Sequence, residues 1–194
     1  EKISMIESVE RVPSLRFALL SPFVWNKLKN LQRSGWVKRG VKNPESVADH
    51  IISLREIGYT YNNLSTKDRN DLIDMLEVHD WPEAIHGDEI IVTQNMEDRK
   101  KLKAIKFEKE RKALIEICNN IAEHGDTILN LWLRFETSDD DIATLGRQID
   151  KYQAIEKALE YEKTQGISSF QDFLNYARKD IHDSILLKRI EALE

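Results

Sequence analysis

The chain has 194 residues, 41% of them hydrophobic and 32% charged, with seven Gly and four Pro. That balance suits one large domain with a buried core and excludes collagen-like, low-complexity or wholly disordered chains. Its 34 acidic residues outnumber 29 basic ones for a net charge of −5, which speaks against a nucleic-acid partner, and no apolar run is long enough to span a bilayer. One cysteine, Cys118, excludes an intramolecular disulfide. The chain begins at Glu1 rather than Met, which leaves room for an upstream targeting segment. Helical patterns alternate with short polar breaks, and neither a linker nor an internal repeat intervenes. The expected architecture is therefore all-α, a single domain over residues 1–194 with roughly seven or eight helices and essentially no sheet.

Pro22 opens a first helix that runs to about Gln32, ahead of Gly35. After Asn43-Pro44-Glu45, Ser46 caps a second helix and Asp49 completes a capping box. Val47, His50, Ile51, Leu54 and Ile57 share its apolar face. Ser65 and Asp68 open a third in the same way, with Leu72, Ile73, Leu76 and then His79 on one face. Pro82 removes a donor and disfavours helical geometry at Trp81, so this helix ends or kinks there. Gly87-Asp88-Glu89 forms a turn and Ile90-Ile91-Val92 a short extended piece. A Lys/Glu-rich helix is expected from Met96 to Glu123, striped by Leu102, Ile105, Leu114, Ile117 and Ile121 and ended by Gly125. Asp126 is the expected cap of its successor, whose apolar face carries Leu129, Trp132, Leu133 and Phe135. Thr137-Ser138-Asp139 opens another, with Ile142, Leu145, Ile149 and Tyr152 on one side, and Gly166 closes it. Two shorter helical segments finish the chain.

The chemistry-bearing residues are His50, His79, Asp80, Glu83, Asp88 and Asp150. Singly each has an ordinary explanation. A histidine on an apolar face is usually a satisfied core residue, His-Asp occurs again at His182-Asp183, and acids such as Glu83 and Asp88 suit a helix start. Together they form a mixed nitrogen and oxygen set, which suits a divalent transition metal better than calcium. Neighbours on a helix diverge by about 100°, so His79 and Asp80 share an ion only near a helix end. Pro82 puts the break there and lets Glu83 and Asp88 curl back toward the same place.

The string His79-Asp80-Trp81-Pro82-Glu83-Ala84-Ile85-His86-Gly87-Asp88 resembles the signature of HD-domain metal-dependent phosphohydrolases. Upstream, Arg33-Ser34-Gly35-Trp36-Val37-Lys38-Arg39-Gly40-Val41 and Pro44-Glu45-Ser46-Val47-Ala48-Asp49-His50 resemble the 5′-deoxynucleotidase branch. Downstream, Leu131-Trp132-Leu133-Arg134-Phe135-Glu136, Gln148-Ile149-Asp150-Lys151-Tyr152 and Leu159-Glu160-Tyr161-Glu162 continue the likeness, which covers about residues 20–175. Ser34 stands where relatives often have Thr, and Gly40 where they often have Asn.

The resemblance implies metal ligands at His50, His79, Asp80 and Asp150. It implies catalytic acids at Glu83 and Asp88, one protonating the departing nucleoside oxygen and the other orienting water, the two roles being left unsplit. Arg33, Trp36 and Arg39 fall at the substrate mouth, with Lys38 beside them. His86 reads as a solvent-facing histidine on a turn. The implied enzyme hydrolyses deoxyribonucleoside 5′-monophosphates and is a cytoplasmic homodimer with no nucleic-acid or membrane partner. The implied cofactor is a divalent metal ion: manganese, cobalt or magnesium in assays, with iron, nickel or zinc also admitted by the donor set. The alternatives are an HD-domain phosphohydrolase acting on a cyclic nucleotide, a deoxynucleoside triphosphate or guanosine tetraphosphate, and a metal-stabilised binding module without turnover.

Overall fold

The computed structural model describes residues 15–121 and 123–194. After a 3-10 turn at Ala18–Leu20 come α1 (Pro22–Asn30), α2 (Ser34–Lys38), α3 (Val47–Tyr59), α4 (Thr66–Val78) and α5 (Glu83–His86). Then follow α6 (Met96–Asn119), α7 (Gly125–Thr137), α8 (Asp141–Gln165), α9 (Phe170–Ala177) and α10 (Ser184–Leu193). Eight of these helices have eight or more residues, matching the expected number, while α2 and α5 are little more than single turns. Among the described residues there is no strand, only one isolated bridge between Gln32 and Ser46. Ile90-Ile91-Val92 is irregular backbone with no strand to pair with. No described helix is long and apolar enough to cross a membrane.

Local chemistry explains most boundaries. Ser21 accepts from the Val24 N–H with Pro22 in the first turn, and Ser46 with Asp49 forms the full capping box of α3. Ser65 accepts from the Asp68 N–H, but the Asp68 carboxylate takes the Ser65 hydroxyl, so that box is only half made. Gly166 closes α8 at φ 69°, in the left-handed region where a side chain is strained.

Several expectations are corrected. The cap of α8 is Asp140, whose carboxylate takes the N–H groups of Ile142 and Ala143, rather than the three residues before it. α6 stops at Asn119, and Gly125 begins α7 instead of ending α6. A Cβ at Gly125 would lie 2.6 Å from the Cys118 carbonyl oxygen, so a close backbone approach requires glycine here. Asp126 lies inside the first turn of α7 and caps nothing. Leu102 and Ile105 are 41% and 64% exposed, so the expected stripe of α6 is buried only further along, from Leu114 onward.

The core divides along α3. Val47 and Ile51 join Val24, Leu28, Val78, Trp81, Leu114 and Trp132, whereas Leu54 and Ile57 join Leu72, Leu76, Phe135, Ile149 and Ile155. Each such burial stabilises the fold by about 1.5–3 kcal/mol, which holds α3, α4 and α8 rigidly against one another. His50 sits on α3 between the two groups. Buried Glu77 fastens the chain before α1 to α4 by accepting the N–H groups of Arg16, Phe17 and Ala18 at 3.0, 2.8 and 2.9 Å.

Candidate active site

Three helices deliver the central groups. α4 ends at Val78, so His79 and Asp80 lie on the turn that Pro82 enforces, and both point to one place. His79 Nδ1 is 2.8 Å from the Leu76 carbonyl, which makes Nδ1 the protonated nitrogen and leaves Nε2 for other work. His50 comes from the first turns of α3, its ring centroid 5.6 Å from that of His79. Asp150 comes from the middle of α8, with its Oδ1 3.0 Å from His50 Nε2. One oxygen of Asp80, Oδ2, lies 3.1 Å from His79 Nε2, 3.6 Å from His50 Nε2 and 3.3 Å from Arg33 Nη1.

Both Nε2 atoms are buried and make no hydrogen bond of ordinary geometry. A buried polar atom left so is costly unless something satisfies it. His50, His79 and Asp80 each offer a ligand atom within 4.8 Å of the others. Two imidazole nitrogens with carboxylate oxygen beside them fit a divalent transition ion.

The electrostatics agree. Burial alone would discharge Asp80, but His79, Arg33 and His50 outweigh it and hold its carboxyl far below the usual range. Asp150 is lowered too, His50 and His79 overcoming its loss of hydration. Burial works against a charged His79, yet Asp80 pushes it up to about 9. Arg33 is kept firmly cationic against burial by Asp80, Asp150, Glu83 and Asp88. Glu83 goes the other way. It is 3% exposed, its Oε2 has no hydrogen-bond partner, and burial together with the Asp80 and Asp88 charges raises its pKa well above normal.

All of these groups except the fully buried His50 line a cleft of about 810 Å³, together with Trp36 and Asp88. Asp88 is tied into the wall: its Oδ2 accepts the Ser34 N–H and its carbonyl the Ser34 hydroxyl, both at 2.7 Å, which fixes the start of α2. Trp36 reaches the cleft only at an edge, being 4% exposed and packed on Tyr161 and Phe173. Arg39, expected at the substrate mouth, is not among the cleft-lining residues. α2 has ended at Lys38, and the Arg39 guanidinium lies over the Phe173 ring, 3.7 Å from Asp172. His86 is half-buried with Nδ1 against the Gly87 carbonyl, and is likewise not among the lining residues. The second His-Asp pair does a structural job, Asp183 capping α10 and accepting from the Tyr61 hydroxyl.

Sequence reasoning missed the opposite wall. Arg99, Lys103, Lys106, Phe107 and Glu110 of α6 face the cleft, as do Arg147 and Lys151 of α8 and Glu136 of α7. Partial loss of hydration and the Glu110 charge push Glu136 up to about 7. The available signal was the spacing of three and four residues along α6, which marks one helix face.

The HD domain family model matches residues 25–188. The chain belongs to the HD-domain family. The 5′-deoxynucleotidase HDDC2 of Dictyostelium discoideum is 33% identical over 171 residues, covering 82% of this HD domain protein and 87% of its own length. The protein of the same name from Danio rerio is 31% identical, covering 86% and 81%. The 5′-deoxynucleotidase YGK1 of Saccharomyces cerevisiae is 29% identical, covering 93% and 82%. Among solved structures, PH0347 from Pyrococcus horikoshii superposes with a TM-score of 0.67 at 24% identity over 89% of this chain and 95% of its own, a likeness of fold. A conserved hypothetical protein from Pyrococcus furiosus gives a TM-score of 0.64 at 27% identity, over 89% and 96%. HD-domain membership implies a divalent metal, which the histidine and aspartate cluster fits.

Proposed function

We propose that this HD domain is a metal-dependent phosphomonoesterase that hydrolyses deoxyribonucleoside 5′-monophosphates to deoxyribonucleosides and phosphate. The observation that carries the reading is the convergence, at the base of one cleft, of two imidazole nitrogens, that of His50 fully buried, and two carboxylates beside a cationic arginine. The relatives named 5′-deoxynucleotidase supply the substrate class.

His50, His79, Asp80 and Asp150 are the ligand set. A divalent ion held there supplies an acidified water and polarises a phosphate oxygen; manganese, cobalt and magnesium are the ions to assay, and iron, nickel or zinc also suit the donors. Arg33, fixed by its bond to Asp80, meets the phosphate with charge-assisted hydrogen bonds. As the water oxygen bonds to phosphorus, the bond from phosphorus to the 5′-oxygen breaks, and Glu83 gives its proton to that oxygen. The proton surrendered by the water replaces it over the cycle. The raised pKa of Glu83 is what such a donor needs. Asp88 acts by position, holding the start of α2 and therefore the wall that carries Arg33 and Trp36.

Of the other cations on the cleft, Lys106 pairs with Glu110, Lys151 with Asp180, and Arg147 with the Phe135 and Ser138 carbonyls, while Arg99 donates to the Tyr176 hydroxyl and Lys103 faces the cleft beside it. Phosphate release from dAMP should clearly exceed that from AMP and from dATP; equal rates on dAMP and AMP would remove the deoxyribose preference. A cytoplasmic homodimer belongs to the same reading, and sedimentation of the purified chain as a monomer would remove that part.

A further inference from the structure

Glu45 and Gln153 lie on the Nδ1 side of His50, whereas Asp80 and Asp150 meet its Nε2. Gln153 Oε1 is 2.9 Å from His50 Nδ1, and the Gln153 amide nitrogen donates to Glu45 Oε2 at 2.9 Å. The other Glu45 oxygen accepts from the Trp36 indole nitrogen at 3.1 Å. The Tyr161 hydroxyl accepts the Glu45 backbone N–H at 2.8 Å and holds that residue in place. His50, Gln153, Glu45 and Trp36 are all buried, at 0%, 2%, 7% and 4% exposure, so each of these partners is costly to lose.

The row has only one sense. An indole N–H donates only, and a carboxylate accepts only. With one Glu45 oxygen taken by Trp36, the Gln153 NH2 must face the other. Its carbonyl must then face His50, which requires the proton on Nδ1 and leaves Nε2 bare. His79 has its Nδ1 proton held in the same way, by the Leu76 carbonyl at the end of α4. His50 stands inside α3, where neighbouring carbonyls are spent on helical bonds. It needs a side chain instead, and a single turn of α8 supplies both contacts, Asp150 at Nε2 and Gln153 at Nδ1.

We infer that Glu45 and Gln153 are positioning residues that set the proton pattern of His50 and so make it a metal ligand, an inference that rests on the metal site proposed above. The same row ties that ligand to Trp36 on the cleft wall.

The test is zinc affinity of the metal-stripped protein, measured by chelator competition, with thermal melting of the metal-free form alongside. Glu45→Gln is isosteric but leaves one oxygen for two donors. The amide at position 153 then turns over, presents NH2 to Nδ1 and drives the proton to Nε2. Zinc affinity should fall about tenfold to a hundredfold, the usual cost of losing such a partner. The double variant Glu45→Gln/Gln153→Glu restores every donor to an acceptor, since the amide now at 45 takes the indole proton and donates to the carboxylate now at 153. Its zinc affinity should return to within about threefold of wild type, well inside the loss it reverses. Wild-type affinity in Glu45→Gln overturns the inference, as does a loss that the double variant fails to repair, which would mean packing alone. Asp80→Ala separates the two levels. If it binds zinc as tightly as wild type, the metal site falls and the inference with it; if it loses zinc while Glu45→Gln does not, only the inference falls.

Discussion

Asp80 and Glu83 lie three residues apart and are driven in opposite directions. Both are removed from water, but Asp80 has His79 and Arg33 against it, while Glu83 faces the charges of Asp80 and Asp88. A carboxyl whose folded-state pKa stands above its unfolded value costs stability as pH rises from the second toward the first. Glu83→Gln removes that cost. In urea unfolding of the metal-free protein, the variant should gain on wild type between pH 5 and pH 8, while phosphate release falls by about a hundredfold or more. A variant that is equally active would deny Glu83 its role as proton donor. His79 titrates with the opposite charge sign. Its folded value of about 9 lies above the 6.5 of an ordinary histidine, so its contribution is full below 6.5 and is lost as pH rises through 9. A metal needs Nε2 without its proton. Loading the protein at pH 7.5 in weak buffer should therefore release protons, and metal affinity should climb with pH toward 9. Binding without proton release would contradict that account.

At the scale of the element, what local chemistry dictates was legible and what tertiary contact dictates was not. The capping box of α3 and the break that Pro82 imposes after α4 need no partner, and they place His50, His79 and Asp80 correctly. The spacing that puts Leu102 and Ile105 on a stripe with Leu114 is equally regular, but among the described residues only the second half of that stripe is buried. The first half instead turns charged residues to the cleft, which periodicity alone reads as solvated surface. Arg39, one residue beyond the end of α2, lies over the Phe173 ring beside the cleft, a placement that only the contact with α9 decides. The α6–α7 junction is the sharpest case, because the need for glycine at 125 comes from a carbonyl on the preceding helix. Gly125→Ala should destabilise the protein by about 1–3 kcal/mol in chemical unfolding, as the obstructing atom is backbone and cannot swing aside. An unchanged midpoint would mean that the two helices separate easily.

Across the whole molecule, the two halves of the core meet at α3, and the site lies where they meet. His50 is supplied from within that seam, Asp150 and Gln153 from α8 on one side, and His79, Asp80 and Glu83 from the end of α4 on the other. Helices packed this firmly hold His50, His79, Asp80 and Asp150 close together, and the proposed ligand set rests on that convergence. The measurement that bears on it most directly is phosphate release from dAMP by metal-stripped protein, before and after manganese, cobalt or magnesium is restored, with Asp80→Ala in parallel. The expected result is release that appears only with metal and is absent in Asp80→Ala. Undiminished release from the stripped protein or from Asp80→Ala, or silence from a folded, metal-loaded wild type, would contradict it.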